Sequence, residues 1–217
     1  RRQEQIYLVS SVGFELKGTH SLSPEQLTAR EEEVVRRTRN SRAGEQVKIQ
    51  HNLPTTFQTG SDRLEHPPVI VGFGPAGMFA GLALARMGYR PIILERGADV
   101  DRRVQSVRGF WDGRQLDPQT NVQFGEGGAG TFSDGKLTTR INDPRCSFVL
   151  EEMIRHGAPQ EIRYQQKPHV GTDLLRDVVK NIRNEIIRLG GQVHFLTRLE
   201  DVVLSQRRVS SIRTTEG

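Results

Sequence analysis

The chain has 217 residues, 35% hydrophobic and 26% charged, and its 31 Lys and Arg against 26 Asp and Glu give a formal charge of +5. That is one domain or two small ones, and basic residues scattered in this way suit small phosphate-bearing ligands better than a nucleic-acid surface. The single cysteine, Cys146, excludes an intrachain disulfide, a CxxC pair and multi-thiolate metal sites; no apolar run reaches the ~18 residues of a membrane span, and Arg1–Gln5 carries no signal core, so the cytoplasm is expected and a membrane partner is not.

Residues 1–52 read as a small α+β segment. Ile6–Val9 is a short apolar run and Val47-Lys48-Ile49 alternates as strands do. Between them Ser23-Pro24-Glu25-Gln26 signals a helix start, with serine as cap, proline in the first turn and Gln26 closing a capping box. The helix runs to about Thr38 and is highly charged. Its Arg36-Arg37-Thr38-Arg39 end is explained by a solvated helix terminus better than by RNA contact. Residues 53–68 are polar and Pro-rich and read as a linker.

Residues 69–217 read as a dinucleotide-binding α/β domain. Val69-Ile70-Val71 is a short buried strand, Met78–Met87 a small-residue helix stopped by Gly88, and Pro91–Leu94 a second strand, together a parallel βαβ unit. Asp143-Pro144 starts a helix that Gly157 ends, with Glu151-Glu152 on its solvated face. Thr172 is expected to cap a longer helix whose stripe is Leu174, Leu175, Val178, Val179, Ile182, Ile186 and Ile187. After Gly190-Gly191 three short strands are expected, Val193–Leu196, Val202–Leu204 and Val209–Ile212, the last two joined through Gln206-Arg207 as a hairpin or meander insertion.

Glycine is the informative residue, with 22 copies in clusters. Gly72-Phe73-Gly74-Pro75-Ala76-Gly77 is a GxGxxG run that leaves a strand, enters a helix, and precedes a second strand ending in Glu95. Gly72 serves the turn, Gly74 lets a diphosphate approach the backbone, and Gly77 lets the helix pack on the sheet. Glu95 is placed to accept hydrogen bonds from ribose hydroxyls and to repel a 2′-phosphate.

A second cluster runs from Phe124 to Lys136, FGEGGAGTFSDGK. An NAD-only dehydrogenase has no evident need for so much bare backbone there, whereas an isoalloxazine ring must lie flat against main chain. Gly127, Gly128 and Gly130 offer that approach. Thr131, Ser133 and Lys136 offer hydroxyl and ammonium donors near the ring, the ammonium stabilising charge on reduced flavin.

The stretches Pro68–Gly97, Asn121–Leu137 and Gly171–Thr214 resemble flavoproteins with the two-dinucleotide-binding-domain, glutathione-reductase-like fold. Within these, the FGEGGAGTFSDGKL segment is similar to that of a group of uncharacterised bacterial FAD-dependent dehydrogenases, which carry a small domain ahead of the FAD fingerprint; the resemblance covers roughly residues 67–217. The resemblance implies that Gly72, Gly74, Pro75, Ala76 and Gly77 contact the FAD diphosphate. It implies further that Glu95 and Arg96 bind the adenosine ribose, that Gly128, Ala129, Gly130 and Thr131 border diphosphate and flavin, and that backbone near Arg198-Leu199 meets adenine. The family continues with an Ala-Thr-Gly-like turn and a later Gly-Asp segment. Neither occurs in this sequence, so the chain is expected to be C-terminally incomplete.

The expected activity is FAD-dependent oxidoreduction of a small-molecule substrate, with NAD(P)H as one conceivable donor. The lack of CxxC argues against disulfide reduction. Alternatives are an NAD-dependent dehydrogenase, a flavin-dependent tRNA-modifying protein and a non-catalytic dinucleotide-binding fragment. His156, His169 and His194 have no metal-ligand spacing and no metal is expected; His169, just before the long helix, is the one histidine placed to face a flavin. Cys146 reads as an ordinary buried residue, and Trp111 packs either near the cofactor or in the core.

Overall fold

The computed structural model describes residues 64–133, 135–137, 139, 143, 145–163, 165 and 168–216. The expected elements of residues 1–52 and most of the linker lie outside these residues.

The described chain is mixed α/β. Strand β1 (Val69–Val71) leads into helix α1 (Pro75–Arg86) and strand β2 (Ile92–Leu94), followed by α2 (Val100–Trp111), α3 (Arg145–Arg155), α4 (Thr172–Arg188) and strand β3 (Gln192–His194). The three strands form one parallel sheet in the order β1-β2-β3, with Val69 opposite Ile92 and Ile92 opposite Gln192. Parallel pairing needs a crossover, and α1 and α4 supply it. The alternating strand pattern points Ile70, Ile93 and Val193 at the helices, where they join Met78, Leu82, Val178, Val179, Ile182 and Ile186 in the main core. Val69 and Val71 are exposed.

The α4 stripe is narrower than its sequence reading. Leu175, Val178, Val179, Ile182 and Ile186 are buried, whereas Leu174 and Ile187 are exposed. Around the helix the buried residues span an arc of about 100°, from Val178 to Val179, and Leu174 and Ile187 fall outside it on opposite sides. Thr172 is the first helical residue, not the cap. Gly171 holds the cap position, and the Thr172 hydroxyl donates to the Ser133 carbonyl at 2.8 Å.

The solvated-face reading fails for Glu152. Its side chain is buried between Arg86 of α1 (2.5 Å) and Arg155 (2.9 Å), and only Glu151 faces outward, paired with Arg163 at 2.6 Å. His156, one turn on, donates from Nδ1 to the Glu152 carbonyl at 2.7 Å, a structural use of the ring. Trp111 packs in neither expected place and is 64% exposed at the end of α2.

Strands β4 (Leu199–Ser205) and β5 (Arg208–Thr214) form an antiparallel hairpin. Its two-residue connection, Gln206-Arg207, has φ of 49° and 64°, the pair of positive angles that matches the twist of hairpin strands. No helix among the described residues is long and apolar enough to cross a membrane.

Candidate functional site

The carboxyl ends of the three parallel strands meet at one place, where parallel sheets present ligand sites. Gly72 leaves β1 with φ of +92°, its N–H donating to the Leu94 carbonyl at 2.7 Å. Gly74 caps α1 without any side-chain hydrogen bond, and Pro75 opens the helix. A Cβ on Gly77 would land on the Gly72 carbonyl oxygen and lie 3.3 Å from Ile70 Cγ2. The helix therefore begins in direct contact with the strand end, aiming its first-turn amides past Gly74.

The second glycine cluster docks on the first. The Gly127 N–H donates to the Phe73 carbonyl at 2.8 Å. Gly128 has φ of +67°, and a Cβ there would lie 3.1 Å from Pro75 Cδ and 3.2 Å from Gly74 Cα. Two segments distant in sequence thus expose bare backbone side by side at the α1 N-terminus. Ala129 and Gly130 follow in a single 3₁₀ turn, Ala129–Phe132, with open space where a Gly130 side chain would be.

Glu95 stands at the end of β2, 4% exposed. Its Oε2 accepts from the Phe73 N–H at 2.7 Å and its Oε1 from the Gly97 N–H at 2.9 Å. The acid braces the first glycine loop while each oxygen keeps a further lone pair. Arg96 is turned aside: Nε donates to Gln119 Oε1 at 3.2 Å, and the guanidinium lies 4.0 Å over the Phe124 ring.

The expected donors beyond Gly130 divide. Thr131 is fully buried and donates its hydroxyl to the Glu126 carbonyl at 3.2 Å, so it holds the loop together and does not face a ligand. Ser133 is exposed but donates to the Gly130 carbonyl at 2.8 Å and accepts from the Gly135 N–H at 3.2 Å. Lys136 is exposed and forms an antiparallel bridge with His169, flanked by Leu137 N–H to Pro168 O (2.9 Å) and Val170 N–H to Gly135 O (3.0 Å). Flanking bonds of this kind mark a non-hydrogen-bonded pair, so the Lys136 and His169 side chains project from the same face. Leu199 stands at the start of β4, paired with Thr214. The chain just before it is tied to the β2 end by Thr197 N–H to Glu95 O at 2.9 Å.

Two residues at the site were not singled out by the sequence reading. Arg103, on the buried face of α2, is 0% exposed, and burial lowers its guanidinium to about 10 against the opposing pull of Glu95 and Glu126. Its signal was its spacing from Val100 and Val107, which puts it on the apolar face of a helix capped by Asp99. Glu126, within the second cluster, is fully buried. Its Oε2 accepts from the Val100 N–H at 2.7 Å and from Arg183 Nη1 at 2.8 Å. Its Oε1 has no hydrogen-bond partner among the described residues. Nothing in the sequence distinguishes this glutamate from a solvated one.

Burial pushes the Glu126 carboxyl above its ordinary value, against the Val100 N–H and Arg183. The folded chain therefore holds this proton over a range where the unfolded chain has lost it, and stability falls as pH rises through that range. Glu126→Gln removes the titration. Its stability relative to wild type is expected to rise with pH above the usual glutamate range, measured by chemical denaturation at stepped pH; a constant difference would contradict this.

No group of His, Cys, Asp and Glu among the described residues is arranged to hold a metal ion.

No family model matches the chain. An uncharacterized protein of Clostridium beijerinckii is 59% identical over 157 residues, which is 72% of this chain and 30% of that protein. The chain thus spans less than a third of the length of the curated relative it matches. The crystal structure of Thermovibrio ammonificans THI4 is similar with a TM-score of 0.45 and 22% identity, over 70% of this chain and 47% of that one.

Proposed function

We propose that the chain is the FAD-binding part of an FAD-dependent oxidoreductase acting on a small-molecule substrate. The observation that carries the reading is the contact between the two glycine loops, Gly128 against Gly74 and Pro75, at the carboxyl end of a parallel sheet. A diphosphate lying across this contact would meet bare backbone at Gly74 and Gly128, with the N-terminus of α1 beside it.

In this reading Gly72, Gly74, Pro75, Ala76 and Gly77 hold the diphosphate from one side, and Gly127, Gly128, Ala129 and Gly130 from the other. Glu95 offers its remaining lone pairs to ribose hydroxyls, with Arg96 at the rim. Main chain near Leu199 serves the adenine. Ser133 and Lys136 lie toward the flavin end, and the Lys136 ammonium suits a developing negative charge. Thr131 acts only by holding the loop closed. Bound FAD supplies the capacity to accept a hydride from a reduced substrate or from NAD(P)H. The bare backbone at Gly130, where a side chain would meet open space, suits an isoalloxazine ring lying flat against main chain and favours FAD over NAD alone.

The test is spectroscopic. The purified full chain is expected to show flavin bands when supplied with FAD, and the bands are expected to bleach anaerobically with a hydride donor. Bands that no donor bleaches would support binding without oxidoreduction, and no bands would contradict the reading.

A further inference from the structure

The backbone of the second glycine loop is turned around a single side chain. Arg103 Nε donates to the Asn121 carbonyl at 2.9 Å and Nη2 to that of Val122 at 2.8 Å. Nη1 reaches the carbonyls of Glu126 (2.6 Å), Gly128 (2.8 Å) and Gly125 (3.3 Å). All of these hydrogen bonds go to carbonyls of this one loop. The charge also lies 4.7 Å over the Phe132 ring. Gly125 has no room for a side chain, since a Cβ there would lie 2.6 Å from Arg103 Cδ.

The consequence follows from peptide planarity. In a trans peptide the N–H points opposite the carbonyl it is joined to, and no peptide bond among the described residues is cis. Each carbonyl drawn toward Arg103 therefore turns the next amide outward. The outward Glu126 N–H bonds to the Ala98 carbonyl and the outward Gly127 N–H to the Phe73 carbonyl, fastening the loop to the sheet end. The Gly128 carbonyl does the same for the Ala129 N–H, at the junction of Gly128 with Gly74 and Pro75.

We propose that Arg103 is a positioning residue for the dinucleotide: it holds the loop carbonyls inward so that the Ala129 amide faces the diphosphate beside the α1 N-terminus. The proposal rests on the FAD reading above. Arg103 itself touches no ligand, because it is fully buried beneath the loop whose carbonyls it holds. It preorganises a backbone donor and so saves the cost of ordering a glycine-rich loop on binding.

The experiment compares wild type, Arg103→Ala and Arg103→Lys in the full chain. FAD dissociation constants are measured by flavin fluorescence, with and without added guanidinium ion, and amide hydrogen exchange is followed across residues 121–131 in the protein without FAD. Arg103→Ala is expected to weaken FAD about 100-fold and Arg103→Lys about 10-fold, since lysine keeps the charge but donates from one atom. Guanidinium ion is expected to recover part of the alanine loss, and exchange to quicken at 121–131 while α1 and α4 stay protected. Binding by Arg103→Ala within about 3-fold of wild type would overturn the proposal, as would weaker binding with unchanged exchange at 121–131. If Arg103→Ala does not fold, Arg103→Lys carries both comparisons. A wild type that does not bind FAD contradicts the FAD reading instead, and the exchange measurement then decides alone whether Arg103 orders the loop.

Discussion

Gly77→Ala is expected to abolish FAD binding and to lower stability by about 1–3 kcal/mol. Alanine is normally the better helix former by about 1 kcal/mol, so a loss at this helical position reverses the usual sign. The reason is local. The added Cβ lands on the Gly72 carbonyl oxygen, which is backbone, and Gly72 is fixed by its positive φ and its 2.7 Å hydrogen bond to Leu94. The N-terminus of α1 must then move away from the strand end, carrying the first-turn amides out of line with Gly128. Gly130→Ala is the control: nothing lies within 4 Å of its Cβ, and its stability is expected to stay within about 0.5 kcal/mol of wild type. Denaturation curves and FAD titrations of both variants check the pair; a Gly77→Ala protein as stable as wild type would contradict the packing.

Glu95→Gln tests the other wall of the site. The carboxylate gives one oxygen to the Phe73 N–H and the other to the Gly97 N–H, at 2.7 and 2.9 Å. Glutamine has the same shape but only one oxygen, so in either flip its NH₂ faces a backbone donor. A buried unsatisfied N–H costs about 1–3 kcal/mol, and the variant is expected to lose stability in that range. FAD affinity is expected to fall by about 10–100-fold, because the acceptor proposed for the ribose is weakened and the Phe73 turn between Gly72 and Gly74 is loosened. A variant with native stability and affinity would remove Glu95 from both roles.

Much of the βαβ unit was legible because each piece has a local cause. The runs Val-Ile-Val and Ile-Ile-Leu mark the strands, and the glycines at 72, 74 and 77 have separate steric tasks that the structure bears out at 72 and 77. The Gln206-Arg207 turn is legible for the same reason, lying between two short strand-like runs, Val202–Leu204 and Val209–Ile212.

What was not legible depends on long-range contacts. Thr131 looks like a free hydroxyl in a glycine loop, yet the loop folds back so that the Glu126 carbonyl accepts its hydrogen bond. Glu152 looks solvated beside Glu151, yet it meets Arg86 across a helix packing. Helix α2 was legible and was overlooked: Asp99 caps it and Val100, Val104 and Val107 repeat at helical spacing, but its arginines disguise the apolar face. Arg103 on that face is the residue on which the shape of the second glycine loop depends.

The measurement closest to the central claim is the mass of the small molecule released on denaturing the full chain after equilibration with FAD and removal of excess, with an absorption spectrum taken beforehand. FAD recovered in proportion to protein, with flavin bands in the folded sample, is the predicted result. A folded protein that retains no FAD would contradict the account.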